Sequence, residues 1–66
     1  MNKNPALKWV EDHAEEILFG YANGSTAARS VLRANAQYMA YPNDDGARKA
    51  LETAIEQYQA VKGVQS

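Results

Sequence analysis

Two short runs of helix-breaking residues constrain this chain more than any other feature: Asn23-Gly24-Ser25, and Tyr41-Pro42-Asn43-Asp44-Asp45-Gly46. Outside them, apolar residues return every three or four positions, the spacing that stacks side chains on one face of an α-helix. Leu7, Val10, Ala14, Ile17, Leu18 and Tyr21 form one such stripe. Ala28, Val31, Leu32, Asn35, Tyr38 and Met39 form a second, and Ala47, Ala50, Leu51, Ala54, Tyr58 and Val61 a third, with Ile55 on its flank. Neither 25–41 nor 47–62 alternates with the period of two expected of a half-buried strand. The pattern predicts an all-α fold of three short amphipathic helices over about 5–22, 26–40 and 45–62.

The helix ends carry their own signals. Asn4 before Pro5 reads as a side-chain cap followed by a residue whose missing N–H costs nothing in the first turn. Asn23-Gly24 suits the left-handed conformation that closes many helices, and Ser25 or Thr26 offers the next cap. Tyr41, ahead of Pro42, is pushed out of helical geometry. Asn43, Asp44 or Asp45 can cap the third helix, where an acid also meets the positive end of the helix dipole, and Gly63 is expected to end it.

Short loops between helices favour antiparallel neighbours, so the expected architecture is a small antiparallel bundle forming a single domain over 1–66. Ala47, Ala50 and Ala54 leave room for close approach by a helix bearing Leu32, Tyr38 or Met39, which makes the third helix the expected central contact. At 66 residues the chain has little core, and without cysteine it lacks a disulfide or a thiolate metal site to reinforce it. Oligomerisation is the remaining staple for so small a fold, and a homodimer is the favoured form.

A net charge of −1 is poorly suited to holding a polyanion by bulk attraction. No apolar run approaches the about 18 residues of a membrane span. The opening "MNKNPALKWVED" meets acid where an export signal needs its apolar stretch, so a cytoplasmic protein is expected.

The stretch "WVEDHAEEILFGY", residues 9–21, sets the only histidine among Glu11, Asp12, Glu15 and Glu16. His13 and Glu16 are neighbours on one helical face, but two ligands are too few for a metal, and the glutamate that a di-metal bundle would need three residues before the histidine is Val10. An acid/base pair needs a pocket to orient it and shift its pKa, which a bundle this small has little room to enclose. The four acids read as a solvated face, Ser25, Thr26 and Ser30 have no activating partner at recognisable spacing, and "GYANGS" lacks the lysine of a phosphate loop. No cofactor, metal or catalytic residue is expected.

Four residues resist the bundle pattern. Trp9 falls off the first stripe, in line with His13, Glu16 and Gly20, while Phe19 points to another side; each is either covered by a neighbouring helix or anchors a partner. Gly20 costs up to about 1 kcal/mol inside a helix, and marks a close crossing, an early helix end or a contact face. Asn35, an amide in the middle of an apolar stripe, is expected at a bundle edge where it meets water.

These features predict a non-enzymatic protein–protein interaction module, a small inhibitor or adaptor that blocks or tethers another protein. Its expected contact residues are Trp9, His13, Glu16, Phe19, Tyr38 and Tyr41, with the acids steering a basic partner. The alternative is a small DNA-associated regulator using Arg29, Arg33, Arg48 and Lys49; the short connection at Asn23-Gly24-Ser25 is compatible with a helix-turn-helix. Against it, duplex binding usually engages half a dozen or more phosphates, and the chain has no basic stripe.

Overall fold

The computed structural model describes residues 5–65, with side chains through 61. Every regular element among them is helical: α1 Pro5–Asp12, α2 Ala14–Ala22, α3 Thr26–Ala40 and α4 Asp45–Gln65. The proposed cap at Asn4 lies outside the described residues.

The first expected helix is two helices. His13 leaves α-helical geometry, at φ −110° and ψ 15°, and its imidazole Nδ1 lies 2.8 Å from the Trp9 carbonyl that its own backbone N–H also reaches at 3.0 Å. A side chain that shares the i−4 carbonyl in this way bends a helix at that point. The bend breaks the phase of the first stripe. Val10 and Ile17 are buried, but Leu18 and Tyr21, expected in the core, are about half exposed.

The α2–α3 connection follows from Gly24. At φ +88° it occupies the left-handed region, Ser25 N–H bonds back to Gly20 O at 2.9 Å and Gly24 N–H to Tyr21 O at 3.0 Å, the paired closure of a Schellman turn. Ser25 then caps α3 by accepting from Ala28 N–H at 3.1 Å. Tyr41 ends α3 in non-helical geometry, and of the three candidate caps for α4 Asp44 serves, accepting from Gly46 N–H at 2.8 Å. Gly63 does not end α4, which continues to Gln65: glycine permits a stop, but here the chain makes no turn that demands one.

The core is Ala6, Val10, Ile17, Ala28, Val31, Tyr38, Ala47, Leu51, Ala54, Ile55 and Tyr58. Ile17, Val31 and Leu51 are sealed completely. Helix α3 makes the two most extensive contacts, with α4 and then α2, so it, not the last helix, is the central element. Ala47 and Ala54 face that contact, whereas Ala50 is exposed on its flank. Met39, assigned to the second stripe, is also exposed. Asn35 is half-buried, and its Oδ1 is shut off from water with no hydrogen-bond partner among the described residues, while Nδ2 faces Met39 Sδ at 3.5 Å.

Candidate protein-binding surface

Trp9, His13 and Glu16 of "WVEDHAEEILFGY" form a cluster with Tyr58 of α4. The Trp9 and His13 rings stack at 4.1 Å between centroids, 16° from parallel, and Tyr58 meets Trp9 edge-on at 5.9 Å. A carbonyl can only accept, so His13 Nδ1 carries the proton it donates to Trp9 O. Tyr58 O–H donates to Glu16 Oε2 at 2.8 Å. Burial pushes the Tyr58 phenol above its ordinary pKa, and the bond to the Glu16 carboxylate pushes it the same way by favouring the protonated hydroxyl.

Trp9, His13 and Glu16 were expected to meet a partner. They are instead half-buried and engaged with one another and with Tyr58, because α4 passes over the line they share. Tyr38 is likewise corrected: at 7% exposed it belongs to the core, since its place on the α3 stripe outweighs its closeness to the loop. Tyr41 is exposed as expected, beside the exposed Met39.

Phe19 is the residue that stands out, 74% exposed on α2. Leu18 at 53% and Tyr21 at 51% flank it, and Ile17 is the one buried side chain of the element. In the segment Ala14–Ala22, "AEEILFGYA", apolar residues spread over about half of the helix circumference, wider than one core face, with Glu15 and Glu16 among them. Here only one side is covered. Next to Phe19 lies an open hollow of about 550 Å³, floored by Gly20, Gly24, Ser25 and Ala27 and bordered by Asn23, Thr26 and Val61. Beside it, a Cβ built on Gly20 would lie 3.5 Å from Ala28 Cβ, an ordinary van der Waals contact between α2 and α3.

The basic residues of the alternative reading divide. Arg48 is committed to Asp45 and Glu52, each at 3.2 Å, and these acids, Asp45 foremost, hold its guanidinium pKa above the ordinary value. Arg29, Arg33 and Lys49 are exposed and form no ion pair among the described residues. Arg33 and Lys49 line one open groove of about 450 Å³ between α3 and α4, over Ala34, Ala50 and Ala54; Arg29 lies on the other side of the α2–α3 turn with Tyr21 and Thr26.

Among the described residues no three His, Cys, Asp or Glu side chains gather as a metal set, and no helix is long and apolar enough to cross a membrane. No protein-family model, curated protein or solved structure matches the chain.

Sequence reasoning found Phe19 but missed Leu18, Tyr21 and Val61, and it overlooked Tyr58 as the cover for Trp9. One signal was present: the apolar residues of Ala14–Ala22 spread over a wider arc than a single core face can take.

Proposed function

We propose that this chain is a non-enzymatic protein–protein interaction module, an inhibitor or adaptor whose protein-binding surface is the outer face of α2. The observation that carries the reading is the mismatch between the broad apolar spread of α2 and its one-sided burial, which leaves Leu18, Phe19 and Tyr21 in water. An exposed aromatic next to a shallow hollow is the form of an interface anchor, and contiguous apolar patches of this kind mark interaction sites. The groups best suited to chemistry, His13, Glu16 and Tyr58, are hydrogen-bonded within the fold and hold its helices together.

Affinity capture from a cell lysate tests the reading, using wild type beside a Leu18→Ser, Phe19→Ser variant. A protein held by wild type and released by the variant is the expected result; capture that ignores both changes counts against α2 as the binding face.

The DNA-associated reading keeps one supporting observation, the unpaired Arg29, Arg33 and Lys49. Three cations fall short of the about six or more phosphate contacts typical of duplex binding. Appreciable duplex affinity at physiological salt that disappears in an Arg29→Ala, Arg33→Ala variant would reverse the preference.

A further inference from the structure

We infer that the occupant of the α2 face is a second copy of this chain, docked with the two α2 helices antiparallel across a two-fold axis near Phe19. The inference rests on the interaction-module reading and names its partner.

Three features support a like partner. The first is shape. Phe19 projects beside a hollow floored by Gly20 and Gly24, so each copy offers both a knob and a recess at one place, the self-complementarity a two-fold interface requires. The second is area. Leu18, Phe19, Tyr21 and Val61 leave about 500 Å² of mainly apolar side chain in water, taking about 150–250 Å² for a whole aromatic side chain, which is about a tenth of the 4830 Å² surface. A standard interface buries about 800 Å² per partner, and the exposed Glu15, Ala22, Asn23 and Thr26 are the neighbours that would extend the patch towards it.

The third is charge, and it fixes the orientation. Glu15 lies one turn before Phe19, towards the start of α2; Arg29 lies at the other end of the patch, with Tyr21, Gly24 and Ser25. Both are exposed, and neither is ion-paired within its own chain among the described residues. Antiparallel docking brings Glu15 of each copy towards Arg29 of the other, twice by symmetry. Parallel docking would set Glu15 against Glu15. Rim charges of this kind set register and discourage wrong arrangements more than they add affinity. The Met39 and Tyr41 ends of both subunits stay outside the interface, so the pair presents two copies of that second apolar patch.

Sedimentation equilibrium of the full chain, from low to high micromolar concentration at low ionic strength, reads the assembly directly. Wild type is expected at about twice its 7.3 kDa mass at the upper end. Phe19→Glu is expected to weaken association by at least about thirtyfold, as loss of a central aromatic anchor does, with an unchanged helical circular dichroism spectrum because Phe19 packs little within its own subunit. Glu15→Arg and Arg29→Glu should each weaken the dimer, and the two together should restore it. A wild-type monomer at high micromolar concentration overturns the inference, as does a dimer indifferent to Phe19→Glu or charge reversals that fail to rescue one another. If a monomeric wild type still captures another protein, and loses it through Leu18→Ser, Phe19→Ser, the interaction-module reading survives its named partner; if it captures nothing, both fall.

Discussion

Gly20 and Gly24 stand four residues apart at the end of α2, and replacing each with alanine should move stability in opposite directions. Gly20 is helical, and a Cβ built on it meets Ala28 Cβ at 3.5 Å and Ser25 Cβ at 3.7 Å, both ordinary van der Waals contacts. The Schellman turn uses its backbone carbonyl, which alanine retains. Gly20→Ala therefore introduces no clash, lowers the conformational entropy of the unfolded chain and adds a half-buried methyl, for a gain of about 0.4–1 kcal/mol. Gly24 has open space around it, yet its φ of +88° lies where a Cβ crowds the backbone. Gly24→Ala should cost about 1–2 kcal/mol. Urea unfolding followed by circular dichroism, at low micromolar protein to keep self-association out of the measurement, gives both values. Thermal midpoints should rise and fall by about 4–8 °C per kcal/mol for a domain of this size. A destabilised Gly20→Ala would show that the α2–α3 approach is tighter than 3.5 Å allows, and a Gly24→Ala as stable as wild type would contradict the left-handed turn.

Two further substitutions probe single polar atoms. Asn35→Leu removes an Oδ1 that is sealed without a partner, next to an open hollow of about 220 Å³ shared with Leu7 and Met39, and should stabilise the fold by about 1 kcal/mol; a loss of stability would mean that the amide is satisfied after all. Tyr58→Phe removes the bond to Glu16 and should cost about 1 kcal/mol at neutral pH. The folded state holds the Tyr58 phenol protonated above its ordinary pKa of 10.0, by burial first and the Glu16 bond second, so this contribution is fully present below pH 10.0 and is lost as pH climbs through the raised value. Stability of Tyr58→Phe, followed by urea midpoints from about pH 8 to 11, should therefore decline less than that of wild type; parallel declines would remove Tyr58 as the cause.

The helical pattern was legible because periodicity and end signals are local. Ser25, Gly24 and Asp44 act within a few residues of themselves, so the α2–α3 turn and the start of α4 could be read from neighbours alone. The break at His13 could not, because nothing in its spacing marks whether an imidazole will face solvent or turn back to the Trp9 carbonyl. Leu18 and Tyr21 show the same limit from the other side. Leu18 sits four residues after Ala14 and Tyr21 four after Ile17, and only the tertiary packing decides that Ile17 is sealed while they are exposed. Of the expected contact surface, Phe19 and Tyr41 remain in water, while Trp9, His13 and Glu16 turn to α4 and Tyr38 enters the core.

What the amino-acid order determined by itself was the all-helical class, the two turns and the surplus of apolar surface, since propensity, capping and the left-handed glycine depend on residues a turn apart. The tertiary structure alone decided which part of that surplus is exposed. Burial is a property of distant elements meeting in space, and here α4 covers Trp9 through Tyr58, forty-nine positions away along the chain, while Leu18, Phe19 and Tyr21 on α2 stay in water.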